Sequence, residues 1–111
     1  MIGVDAMSLA VPEGYFELAA LAVARGVPAG EFIDGPGVER WAAVRAHEDP
    51  IALAATAARR LFTTADIDPM TIGRCVVATG SAVDHSKPVA AYLHRMLGLS
   101  QESRVFEVKH A

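Results

Sequence analysis

Arg104-Val105-Phe106-Glu107-Val108-Lys109-His110-Ala111, the last eight residues, decide how the rest of the chain is read. Phe106 and Val108 alternate with Glu107 and Lys109, the period-two pattern of a strand with one face more buried than the other. No turn, cap or polar tail follows. In open α/β sheets ligands gather beyond the carboxyl ends of strands. The stretch therefore reads as a strand that stops where a parallel-sheet enzyme presents its chemistry, with the remainder of the protein expected past residue 111.

Upstream, Gly98-Leu99 reads as the stop of a helix that begins near Pro88 and carries Val89, Leu93, Met96 and Leu97 on one face. His94 and Arg95 fall near the negative end of its dipole. Before it, the unbroken apolar run Cys75-Val76-Val77-Ala78-Thr79 has the length and β-branching of a central parallel strand covered on both faces. Strand, helix and strand in succession predict a parallel α/β unit.

The remaining elements are read in the same way. Residues 2–11 are expected to form a first strand, ended by Pro12-Glu13-Gly14. Residues 15–25 are expected to be helical, with Phe16, Ala19, Ala20 and Val23 on one face and Gly26 as cap. Residues 27–37, with their glycines and prolines, read as a loop, either a plain connection or a close backbone approach to a ligand. Residues 38–46 fit neither period and read as irregular or as a short edge strand around Trp41. Asp49 and Pro50 are N-cap and first residue of an alanine-rich helix whose buried stripe is Ile51, Ala54, Ala55, Ala58, Leu61 and Phe62. Asp66-Ile67-Asp68-Pro69 is a turn, and a short helical turn through Ile72-Gly73 leads to the Cys75 strand. The 111 residues are expected to be one α/β half-domain.

Composition narrows the function. Hydrophobic residues make up 52% of the chain, an excess that suits burial against further protein or a partner subunit. Ten Lys and Arg against thirteen Asp and Glu give a net charge of -3 with no basic run, which removes the footprint of a nucleic-acid binder. No apolar stretch approaches the length of a membrane span, and the start lacks the basic region of a signal peptide. A single cysteine, Cys75, excludes an internal disulfide and fits a reducing, cytoplasmic location.

Chemistry is expected in the polar loop Gly80-Ser81-Ala82-Val83-Asp84-His85-Ser86, which leaves the carboxyl end of the central strand. Asp84 and Ser86 read first as turn and N-cap residues, because neighbours this close in sequence rarely converge on one atom. Cys75 reads as a small core residue rather than a nucleophile. His47, His85, His94 and His110 show no metal-ligand spacing, so no metal is expected; His110 alone sits at a strand end. The residues thus locate a site without naming a reaction.

Several segments in order resemble the amino-terminal part of the 3-hydroxy-3-methylglutaryl-CoA synthase family, within the thiolase-like condensing enzymes. They are Ile2-Gly3-Val4-Asp5-Ala6, Leu21-Ala22-Val23-Ala24-Arg25-Gly26-Val27, Glu48-Asp49, Val77-Ala78-Thr79-Gly80-Ser81-Ala82-Val83-Asp84, Ser86-Lys87, Leu97-Gly98-Leu99 and Phe106-Glu107-Val108-Lys109-His110-Ala111. The resemblance implies a thiolase-like fold, here the amino-terminal portion of a layered αβαβα architecture. It also implies a ping-pong condensation in which a cysteine takes an acyl group from a thioester and the acyl methyl, once deprotonated, attacks the ketone of a second thioester.

In the family that cysteine directly follows the residue matching Ala111, and a glutamate acting as general acid/base stands where this chain has Gly80. Acylation is then expected to survive and condensation to be impaired. Pro28, Ala29 and Glu31 match positions that help bind the coenzyme A portion. Some members place a lysine where Glu31 stands, so its charge implies either weakened coenzyme A binding or a donor carried on an acyl carrier protein. No cofactor is implied beyond the acyl-CoA or acyl-carrier-protein thioester used as substrate, and a homodimer is expected. The competing readings are a non-catalytic thiolase-like subunit supporting an active partner, and a free-standing α/β module.

Overall fold

The computed structural model describes residues 2–34 and 37–109. The chain divides into two compact units, Val11–Glu48 and Met1–Ala10 with Asp49–Ala111.

The smaller unit is built on an antiparallel pair. β1 (Gly14–Glu17) lies against β2 (Arg40–Ala43) in a register that sets Gly14 opposite Ala43 and Phe16 opposite Trp41. Residues 15–17, expected to open the helix, are strand instead: Tyr15 and Phe16 suit an extended backbone, and β2 supplies the ladder they need. Gly14 is required there, because a Cβ at this position would lie 2.8 Å from the Ala43 carbonyl oxygen. α1 (Leu18–Arg25) follows, its first N–H donating to the Glu39 carbonyl at 2.9 Å. Gly26 caps it in the left-handed region at φ 66°, and the Val27 N–H returns to the Ala22 carbonyl, as expected for a glycine stop. The expected loop over residues 27–37 holds one turn of helix, α2 (Gly30–Ile33). Phe32 meets Trp41 edge to face at 6.1 Å, and the Arg40 guanidinium sits 5.3 Å from the Tyr15 ring centroid.

The larger unit carries the parallel pair. α3 (Pro50–Thr64) begins at Asp49, whose carboxylate accepts the Ala52 N–H at 2.7 Å, with Pro50 in the first turn as expected. Of its predicted stripe only Ala55 is fully buried; the others are half-buried. The short helical turn falls at Pro69–Thr71, capped by Asp68, slightly before its expected place. β3 (Arg74–Ala78) then pairs in parallel with β4 (Arg104–Val108), and α4 (Val89–Leu97) crosses between them, stopped by Gly98 at φ 64°. The core is Ala55, Val89 and Leu93, joined by Ile51, Ala54, Cys75, Val77, Ala82 and Leu97.

Three expectations change here. Residues 2–11 form no strand, and Ile2, Val4, Met7 and Leu9 stand exposed. An alternating pattern becomes a strand only where an edge pairs with it, and the β3 ladder runs to β4 alone among the described residues. β3 is not covered on both faces, since Cys75 and Val77 turn inward while Val76 is exposed. In β4 the covered face is that of Val105 and Glu107; Phe106 and Val108, which hydropathy alone would bury, face outward.

Candidate active site

β3 and β4 end side by side. The Thr79 N–H donates to the Val108 carbonyl at 3.1 Å, carrying the ladder one residue past Ala78, so the loop after β3 starts level with the end of β4. The Thr79 hydroxyl accepts the Ser81 N–H at 3.1 Å and lies 3.5 Å from the Ser81 hydroxyl, folding the chain over Gly80. Gly80 is exposed, and a Cβ built on it would meet no heavy atom within 4 Å. Its backbone lies outside the left-handed region, so neither space nor conformation demands glycine there.

Asp84 organises the rest of the loop. One carboxylate oxygen accepts the N–H groups of Ser86 at 2.7 Å and Lys87 at 3.1 Å, and the other accepts the Tyr92 hydroxyl at 3.1 Å. These backbone donors, then the Tyr92 O–H, hold its carboxyl below the usual carboxylate range. The Tyr92 hydroxyl is pushed up in turn, because its proton is committed to Asp84. The Lys87 ammonium caps the Tyr92 ring at 4.0 Å. Asp84 therefore performs the turn duty expected of it, and its occupied oxygens make it a poor proton donor. Ser86 does not cap α4: Pro88 stands at the N-cap and makes no side-chain cap bond.

The cap comes instead from β4. Glu107, its side chain only 6% exposed, accepts the Val89 N–H at 2.5 Å and pairs with the Lys109 ammonium at 2.9 Å. Lys109, then the Val89 N–H, lowers its pKa. Sequence reading passed over Glu107 and Tyr92. The usable signal for the former was a carboxylate and a lysine two residues apart on one face of an apolar strand.

The other candidates fall as follows. Cys75 is half-buried, and burial pushes its thiol up, as suits a core residue. His47 and His85 are exposed, and His94 contacts the Ser100 carbonyl at 2.8 Å through Nε2. Ala111 and His110 lie outside the described residues. Pro28, Ala29 and Glu31 belong to the smaller unit, where the Pro28 and Ala29 carbonyls accept the N–H groups of Glu31 and Phe32 at 3.1 Å. Pro28 and Glu31 are exposed and Ala29 is half-buried. Among the described residues no group of three or more His, Cys, Asp or Glu is placed to hold a metal, and no helix is long and apolar enough to cross a membrane.

Comparison with known proteins gives these observations a family. The profile described as "Hydroxymethylglutaryl-coenzyme A synthase N terminal" matches residues 1–109. The hydroxymethylglutaryl-CoA synthase of Enterococcus faecalis is 38% identical over 110 residues, which cover 99% of this chain and 28% of that protein. The solved structure of MvaS in complex with 3-hydroxy-3-methylglutaryl coenzyme A superposes with a TM-score of 0.88 at 42% identity, covering 95% of this chain and 25% of that one. The curacin-pathway HMG synthase in complex with acetyl donor-ACP gives 0.81 at 28% identity, covering 95% and 26%. The chain thus spans roughly a quarter of the length of its relatives. With a thiolase-like fold and a profile match over nearly its whole length, it belongs to the hydroxymethylglutaryl-CoA synthase family, whose amino-terminal part it matches.

Proposed function

We propose that this chain supplies the amino-terminal part of an acyltransferase of the hydroxymethylglutaryl-CoA synthase type, one that takes up acyl groups readily and condenses them poorly. In the first step a cysteine thiolate directly after Ala111 attacks the carbonyl of an acyl thioester and expels the carrier thiolate. In the second, a proton leaves the acyl methyl, the carbanion attacks the ketone of a β-ketoacyl thioester, and the alkoxide takes up a proton. Acylation needs no general acid at Gly80; condensation needs both proton transfers.

The observation that carries this reading is the environment of Gly80. Glycine occupies an exposed position past the end of β3 where a Cβ would meet no heavy atom within 4 Å, and the carboxylate of Asp84 in the same loop is tied up by three donors. The loss is chemical rather than steric.

On the donor side, Pro28, Ala29 and Glu31 form the segment that meets the acyl carrier. An exposed carboxylate at Glu31 repels the phosphates of coenzyme A within the screening length, about 8–10 Å in physiological salt. We read this as weakened coenzyme A binding or a donor carried on an acyl carrier protein, in a protein we take to be a cytoplasmic homodimer. The rival reading, a non-catalytic subunit that supports an active partner, draws on the same glycine.

One experiment separates them. The protein that carries this chain is incubated with acetyl-CoA or with acetylated carrier protein, and the added acetyl mass is located by peptide mass spectrometry. Labelling at a cysteine next to Ala111, stronger from the carrier protein, is expected. Another residue there, or no labelling, supports the non-catalytic subunit; equal labelling by the two donors removes the role given to Glu31.

A further inference from the structure

We infer that Glu107 is a positioning residue: by holding both the start of α4 and the Lys109 ammonium, it ties the end of β4 to α4. This rests on the acyl-transfer reading above, in which the acyl-accepting residue lies just beyond that point.

Carboxylates are rarely buried unless paired, and this one has both oxygens engaged. Val89, which opens α4, is fully buried, so its N–H has no access to water. Pro88 before it has no acceptor side chain, and the helix end is satisfied from another element altogether. The carboxylate that does so sits in β4 on the face turned toward α4. Lys109, the first residue past β4, folds its partly exposed side chain back onto the same carboxylate. The Thr79 N–H to Val108 carbonyl bond is the last of the ladder among the described residues, and the clamp through Glu107 holds Lys109 just past it. Asp84, on the loop before α4, is the like charge facing this group, and its ties to Ser86, Lys87 and Tyr92 anchor it.

A plain helix cap would affect stability alone. A positioning residue affects the chemical step, because a displacement of about 1 Å at a reacting atom costs on the order of 100-fold in rate. The test uses single-turnover acylation of the whole protein. Glu107→Gln keeps an oxygen for the Val89 N–H but sets an amide against Lys109. It is expected to lower the maximal acylation rate about 10- to 100-fold with donor KM unchanged. Lys109→Met leaves the cap bond in place and is expected to lose most of the same factor. The double variant should lose no more than the worse single one, and Glu107→Asp should recover part of the rate.

If Glu107→Gln does not fold, the loss in Lys109→Met carries the test. A wild-type rate in a folded Glu107→Gln or Lys109→Met protein, a change confined to KM, or losses that multiply in the double variant would overturn the inference. Failure of the wild-type protein to acylate would instead overturn the reading on which it rests.

Discussion

Glutamate in place of Gly80 is the perturbation that bears most directly on mechanism. The structure removes the usual objections to it. A Cβ there has no heavy atom within 4 Å, the backbone is outside the left-handed region, and the residue is exposed, so a side chain can start there without a clash or backbone strain. Loss of glycine's freedom in the unfolded chain should stabilise the fold slightly, by about 0.4–1 kcal/mol. The chemical effect is larger. A positioned acid or base contributes roughly 10²- to 10⁴-fold to a proton-transfer step, or about 3–5 kcal/mol of barrier. Asp84 is a poor substitute, since its nearby donors favour the ionised form. In the whole protein, acyl-enzyme is followed by intact mass and condensed product by chromatography, under single-turnover conditions. Gly80→Glu is expected to raise condensation by two to four orders of magnitude and leave acylation unchanged. Equal condensation by both forms, or a parallel rise in acylation, would refute the reasoning.

Other expectations follow from the same geometry. Asp84 and Glu107 are held below their ordinary range when folded, so their contribution to stability is complete above about pH 5 and lost as pH falls through the depressed folded values. The thermal midpoint should therefore drop below about pH 4, less steeply in Asp84→Asn; identical acid limbs would contradict this. Gly14→Ala should cost about 1–3 kcal/mol by pressing a Cβ onto the Ala43 carbonyl, read as a lower denaturation midpoint, with an unchanged midpoint arguing against the β1–β2 register. Leu93→Ala, in the small core of the larger unit, should cost about 2–5 kcal/mol by chemical denaturation, and a loss well under that would mean the Val89–Leu93 cluster is not the core.

The sequence disclosed those elements whose signals are local. Asp49-Pro50, Gly26 and Gly98 cap helices through their own backbone and side-chain chemistry, so α3 and the ends of α1 and α4 were legible residue by residue. The β3 and β4 strands and the loop after β3 were legible for a similar reason, β3 as a continuous apolar run, β4 as a period-two alternation and the loop as a polar stretch between β3 and α4. What depends on a distant partner was not. Tyr15 and Phe16 match a helical face as well as a strand, and only pairing with Trp41 and its neighbours decides the matter. The alternation at Ile2, Val4 and beyond describes a strand without supplying an edge for it. Gly80 could be found by comparison with the family, whereas Glu107 looked like an outward charge until α4 was seen to start beside it.

The parallel pairing of β3 with β4 also sets the order in which the larger unit can assemble. Partners are thirty residues apart along the whole ladder, from Arg74 with Arg104 to Ala78 with Val108. Closing a loop of that length costs about 3 kcal/mol in chain entropy before any ladder bond forms. Five residues of two-stranded sheet with one open face do little to offset it, so α4 has to condense onto the strands as they meet. Residues 74–108 should then gain and lose protection from hydrogen exchange together, with the Val89 N–H, bridged to β4 by Glu107, among the last to open.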